Sequence, residues 1–287
     1  MDEITFYYVV YINDNNPGFS IFWKNFIISL TILRETYPNN KVVVITYENA
    51  TPPRLIYDLA SVLNYELVQE EPVYNHYDHQ QFNYMMFSRQ INCYNHGKHN
   101  KAKIIYLDVD VFVMKKFDNL NWDKFGVLGS NHGSINGGVF YFDTTKPSTE
   151  YYVEFIKKEI QYLIENHKKT KTDYIRNVYP HCNDNCSVQE ETMLRNFCKR
   201  DSKEYFKHIY NIGSQNNGVA GEHKLHDDNY MKQINNIHLV VVAPKRIPSL
   251  IYKSKYFNHM LRGKYHIRKL LPELANDEFK NLIIKMI

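Results

Sequence analysis

The chain has 287 residues, 44% of them hydrophobic, enough for one large domain with a substantial core. Its net charge of +4 is too mild to mark a chain built around nucleic acid, although a local basic patch for phosphates is compatible with it. The opening MDEITFYYVVYIND is acidic, lacks a basic leader and turns polar by Asn13, so it does not read as a signal peptide, and no run reaches the roughly 18 apolar residues of a membrane span.

In chain order, ITFYYVVYI (Ile4 to Ile12) reads as a buried strand, because it is short, β-branched and aromatic. NDNNPG follows as a loop. Phe19, Phe22, Trp23, Phe26, Ile27, Leu30 and Leu33 then recur at helical spacing up to YPNN. KVVVITY (Lys41 to Tyr47) is a second buried strand. Pro52 and Pro53 open a short helix, and YELVQ is a third strand. This β-α-β-α-β order predicts a mostly parallel sheet with helices on its faces.

Further on, a helix is predicted from about His79 to Tyr94 and a fourth strand over AKIIYLDVDVFV (Ala102 to Val113). GGVFYFD (Gly137 to Asp143) is another strand, and STEYYVEFIKKEIQYLIENHKK is a long amphipathic helix. VQEETMLRNFCK reads as a helix, NIHLVVVAP (Asn236 to Pro244) as a late strand, and the basic end from about Asn258 as helical. No repeat, low-complexity tract or linker interrupts the chain. The expected organisation is one α/β domain with an elaborated C-terminal half, divided into 1–113, 114–250 and a C-terminal helical segment (251–287).

The four cysteines (Cys93, Cys182, Cys186 and Cys198) are expected as reduced thiols. HCNDNC with Cys198 nearby matches no strong zinc-finger spacing. The 24 tyrosines read first as core and surface residues, with stacking platforms for sugars or bases as the functional alternative.

The chemistry concentrates in IIYLDVDVFV (Ile104 to Val113), where Asp108 and Asp110 interrupt an apolar run. Charge in such a run is costly unless something pairs with it. Ligands in open α/β sheets bind outside the carboxyl ends of strands, which is where this pair arrives. In an extended chain both carboxylates share a face, and such neighbours repel unless a cation sits between them. Hard oxygen donors suit Mg²⁺ or Mn²⁺, and such ions keep positions open for phosphate oxygens.

The local string resembles two families. One is the haloacid-dehalogenase-type phosphatases, in which Asp108 would be the nucleophile. The other is the metal-dependent glycosyltransferases of the GT-A fold, in which the D-x-D holds Mn²⁺ or Mg²⁺ against a nucleotide diphosphate. Context favours the second. About three βα units precede the pair, whereas the phosphatase motif belongs on a first strand. SINGGVFYFDTTKPS, following the pair, resembles the N-[GS]-G strand of GT-A enzymes, including the glycogenin and galactosyltransferase-like families. A non-catalytic carbohydrate-binding protein is a third reading.

The GT-A resemblance implies an α/β, Rossmann-like, mostly parallel sheet flanked by helices, with an elaborated C-terminal half. It implies a glycosyltransferase that moves a sugar from a nucleotide-diphosphate sugar, a UDP-sugar first of all, to a hydroxyl of a glycan, protein or small-molecule acceptor. Asp110 would ligate the metal, with Asp108 on the metal, its water or the ribose. His238 would be the third ligand, with His223 and His226 competing. Asn136, Gly137 and Gly138 would face the sugar, and Arg89 the donor phosphate or sugar. Lys245 or Arg246 would lie near the diphosphate. Tyr11, Ile12 and Asn13, at the end of the first strand, would touch base and ribose. Glu190 or Glu191 in QEETMLRNF would contact a sugar or, in an inverting enzyme, serve as general base. No nucleic-acid partner is implied. With neither leader nor anchor in view, the expectation is a soluble, cytoplasmic protein, a viral or bacterial one included.

Overall fold

The computed structural model describes residues 4–10, 20–47, 52, 54–70, 81–129, 135–166, 207–211, 218–219, 229, 233, 236–238 and 281. The first strands, β1 (Ile4–Val9) and β2 (Val42–Tyr47), are buried along almost their whole length. That is why both are continuous apolar runs: a strand covered on two faces has no solvent side to make polar. With β3 (Glu66–Glu70) and β4 (Lys103–Leu107) they form the parallel order β3-β2-β1-β4. The intervening helices are α1 (Ser20–Thr36), α2 (Arg54–Leu63) and α3 (Gln81–Lys98). β3 lies at the sheet edge and is accordingly more exposed and more polar.

The sheet continues past β4 with β7 (Ile135–Asp143), β6 (Phe125–Gly129) and β8 (Ile209–Asn211), giving seven strands. β7 runs antiparallel to both β4 and β6, and β8 is parallel to β6. α4 (Pro147–Asn166) follows β7. The fold is therefore the mostly parallel α/β class that the sequence implies.

Alternation along each strand splits the core into two layers. Phe6, Tyr8, Val42, Val44, Ile105, Leu107, Val139 and Tyr141 meet Trp23, Phe26, Leu30 and Leu33 of α1 and Ile56, Leu59 and Leu63 of α2. Tyr7, Val43, Ile45, Ile104, Tyr106, Phe140 and Phe142 meet Ile91 and Tyr94 of α3 and Tyr152, Val153 and Ile156 of α4. Asn64 ends α2 in the left-handed region, at φ 50°, which asparagine tolerates better than most residues. Arg34, buried near the end of α1, donates from Nε to the Leu63 carbonyl at 2.8 Å and from Nη1 to that of Asn40 at 2.6 Å. It also donates to the Asn64 carbonyl, tying the ends of both helices together. Gly126 of β6 lies under the Tyr141 ring; a Cβ there would come within 1.8 Å of ring carbon.

The predicted fourth strand is not one strand. It breaks at Asp108–Asp110, and the Val-Phe-Val part becomes β5 (Val111–Val113) in a second sheet. That sheet has the order β5-β10-β9, with β10 (Asn236–His238) antiparallel to β5 and β9 (Gly218–Val219) parallel to β10. The break has a physical cause: the Val111 amide donates to the Asp108 carbonyl at 3.0 Å, closing a turn. β6, β8 and β9 were not legible in the sequence, being short or glycine-bearing. The helix predicted over VQEETMLRNFCK lies outside the described residues, as do the basic C-terminal end apart from the helical Asn281 and the late strand beyond His238. No described helix is long and apolar enough to cross a membrane.

Candidate functional site

The site begins where β4 ends. Tyr106 and Asp108 are two residues apart on an extended chain and so share a face, the one covered by α3. The backbone of Asp108 is still held by the sheet, its amide donating to the Gly138 carbonyl at 2.8 Å. The turn then redirects the chain, so Asp110 is brought beside Asp108 by the turn and not by strand alternation. β5 leaves toward the second sheet, where Val111 pairs with His238. This register sets the imidazole next to Asp110, the residue before Val111.

Three donor groups therefore converge. His238 Nε2 lies 3.2 Å from Asp110 Oδ1 and 3.9 Å from Asp108 Oδ2. One ligand atom from each of Asp108, Asp110 and His238 falls within 4.8 Å of the others. Their side chains are 21%, 13% and 6% exposed, so the cluster is sheltered but reachable through Asp108. Octahedral ligands at ~2.1 Å from a small divalent ion are about 3 Å apart when adjacent and about 4.2 Å when opposite. The observed separations fit that geometry with small adjustments. Two neighbouring carboxylates repel, and a cation between them relieves that repulsion. Without an ion, the same groups form a carboxylate–imidazole contact.

The rear of the cluster is equally well defined. Arg89 of α3 is 1% exposed. Its Nη1 donates to Asp108 Oδ1 at 2.5 Å and to the Tyr106 hydroxyl at 3.1 Å, and its Nη2 donates to the Gly137 carbonyl at 2.9 Å. Tyr106 donates to the same Asp108 Oδ1 at 2.6 Å. Burial above all, with the Asp108 carboxylate adding to it, holds the Tyr106 phenol well above its ordinary pKa, so it stays protonated and donates. The guanidinium stands over the Tyr106 ring at 4.9 Å, and that ring stacks on Phe140 at 4.3 Å.

The sequence suggests Arg89 as a contact for donor phosphate or sugar. In the structure it is buried beside Asp108, with its donors on Asp108, Tyr106 and Gly137. Gly137 and Gly138 are buried in β7, and their carbonyls accept from Arg89 and from the Asp108 amide. The N-G-G stretch and the D-x-D are thus bonded to each other directly. Asn136 enters β7 opposite Leu128. Tyr106 is the residue that sequence reasoning passed over; its signal was the two-residue spacing to Asp108. Cys93 is buried, and burial raises its thiol pKa, which suits an inert core residue. Tyr11, Ile12, Asn13, Glu190, Glu191 and Lys245 lie outside the described residues, as do Arg246, His223, His226, Cys182, Cys186 and Cys198.

No family model matches the chain, and no curated protein matches it. Solved structures do overlap it. Mouse xyloside xylosyltransferase 1, in its apo form, is 9% identical with a TM-score of 0.47, covering 85% of this chain and 99% of that one. The apo-form glycosyltransferase GlyE of Streptococcus pneumoniae TIGR4 is 11% identical with a TM-score of 0.47, covering 99% of this chain and 63% of that one. A glycosyltransferase involved in glycosylation of the major capsid of PBCV-1 is 13% identical with a TM-score of 0.38, covering 90% and 99%. All three are glycosyltransferases. At these identities, and with scores below 0.5, the overlaps carry no weight for what this chain does.

Proposed function

We propose that the chain is a GT-A-type glycosyltransferase that uses a divalent cation to transfer a sugar from a nucleotide-diphosphate sugar, a UDP-sugar, to an acceptor hydroxyl. The observation that carries this reading is the meeting of Asp108, Asp110 and His238 at the carboxyl end of β4. The motif order in the sequence supports it as well. Asp110 and His238 hold the ion, and Asp108 offers it Oδ2 while Oδ1 stays with Arg89 and Tyr106. An imidazole among the ligands favours Mn²⁺ over Mg²⁺, which prefers oxygen throughout. When bound, the ion supplies Lewis acidity that offsets charge building on the leaving diphosphate.

The chain's own groups have separate parts in this proposal. Tyr11 to Asn13 follow β1 and cradle base and ribose. Asn136, Gly137 and Gly138 form the wall against which the sugar lies. Lys245 faces the diphosphate. Glu190 or Glu191 orients the acceptor hydroxyl and, in an inverting reaction, takes its proton.

The test is incubation of the full chain with Mn²⁺ and a panel of UDP-sugars. Transfer, or slow hydrolysis of one donor, that disappears in Asp110→Ala is the expected result. Release of phosphate from a monoester, with Asp108 becoming phosphorylated, would overturn the reading in favour of a phosphatase. Glycan binding that needs neither metal nor nucleotide would overturn it in favour of a binding protein.

A further inference from the structure

We propose that Tyr106 and Arg89 are positioning residues that fix the Asp108 carboxylate for metal binding and lock the D-x-D turn to the Gly137–Gly138 backbone. This rests on the reading that the cluster holds a divalent cation.

A free carboxylate rotates and can offer either oxygen. That of Asp108 cannot do so cheaply, because Oδ1 accepts from both Arg89 Nη1 and the Tyr106 hydroxyl. With Oδ1 held, Oδ2 is the oxygen left on the side of His238. Arg89 also donates to the Gly137 carbonyl, and the Asp108 amide donates to that of Gly138. One planar guanidinium therefore links α3, the end of β4 and the start of β7. A single ammonium has no such fork.

The support behind this link is closed. Tyr106 stacks on Phe140, Phe140 on Phe125 at 5.8 Å, and Phe125 on Tyr152 at 3.7 Å. Tyr152 of α4 then donates to Gln90 Oε1 at 2.7 Å, returning to the residue beside Arg89 on α3. Stacked rings give Tyr106 little freedom to move its hydroxyl away from Asp108. Groups that orient a metal ligand in this way typically change metal affinity or activity by 10–100-fold when removed.

A merely structural ion pair would affect folding and leave metal affinity alone, so the readout is Mn²⁺ binding itself. The six-line EPR signal of free Mn²⁺, titrated against the full chain, gives the Kd with no activity measured. Tyr106→Phe keeps the ring stack and removes only the hydroxyl. The expected result is a Kd about tenfold weaker, with the metal-free melting temperature falling by only about 2–4 °C. Arg89→Lys is expected to weaken binding further. In an Asp108→Asn background, Tyr106→Phe is expected to have no additional effect on Kd, because the oxygen it positions is no longer an ionised ligand. Tyr106→Phe and Arg89→Lys binding Mn²⁺ within twofold of the wild type would overturn the inference and leave the metal reading standing. A wild-type chain that takes up no Mn²⁺ would remove the metal reading, and this inference with it.

Discussion

The parallel strands β3-β2-β1-β4 and the small sheet β5-β10-β9 are built on opposite principles. Each parallel strand is joined to the next through a helix close in sequence. β1, β2 and β4 are held by burial on two faces, while β3 is the half-exposed edge. The small sheet has three strands of two or three residues, drawn from distant parts of the chain. Val111, Phe112, Val113 and Ile237 join the same core layer as α1, and the sheet carries His238 to Asp110. Most of the described core lies in the first region, and the Asp108–Asp110–His238 cluster depends on how the second is laid against it.

The largest test of that division is Asp110→Ala. On the proposed function, losing the ion would remove several kcal/mol of charge stabilisation, so turnover of a nucleotide sugar is expected to fall ~10³-fold at 1.36 kcal/mol per factor of ten. The thermal midpoint of the metal-free chain should hardly move. Should the midpoint collapse together with activity, the two regions would not be separable. Next in size is Ile45→Ala in the middle of β2, where the side chain is fully buried. Deleting such a side chain is expected to cost about 2–5 kcal/mol in denaturant unfolding, while the Mn²⁺ affinity of the folded fraction stays at the wild-type value.

His238→Ala sharpens the comparison from the other side. Here the expectation is a weakening of Mn²⁺ binding by about 10–100-fold, on the scale of a lost orienting or ligating group. Stability should change little, because the imidazole contributes to the site more than to the core. EPR titration and thermal unfolding of the same sample separate the two effects.

The smallest effect is a pH dependence seated in the first region. His96 Nδ1 meets the Tyr7 hydroxyl at 2.7 Å. Burial lowers the His96 pKa, against the opposing pull of Glu66 and Glu70 on β3. A depressed pKa means that the unfolded chain takes up the proton first. Its contribution is therefore complete above about pH 6.5, the ordinary histidine value, and is lost as pH falls through the folded-state value. A small decline in thermal midpoint over that acid range is expected, and His96→Gln should flatten it.

Much of the parallel region was legible because its signals are local. A run such as VVVITY has one economical reading, a strand covered on both faces, and helical spacing of Phe22, Trp23, Phe26, Ile27 and Leu30 has another. The break after Leu107 was not legible. Val111, Phe112 and Val113 are as apolar as the residues before Asp108, so nothing local announces that they change sheets. The burial of Arg89 was not legible for a related reason. A basic residue on a polar stretch of helix looks like a surface contact, and only packing against Tyr106, Asp108 and Gly137 buries it.

From sequence alone came the α/β class, the order of the first strands and helices, and the placement of Asp108 and Asp110 as a pair of carboxylates at a strand end. Each depends on spacing along a few neighbouring residues. The tertiary structure decided that a turn, not strand alternation, brings the two carboxylates together. It decided that Arg89 and Tyr106 stand behind Asp108, and that His238 completes the donor set. Those facts depend on which distant backbones pair, through β4 with β7 and β5 with β10. Side-chain period carries no information about that pairing, because two strands far apart in the chain are selected by the geometry of the whole sheet.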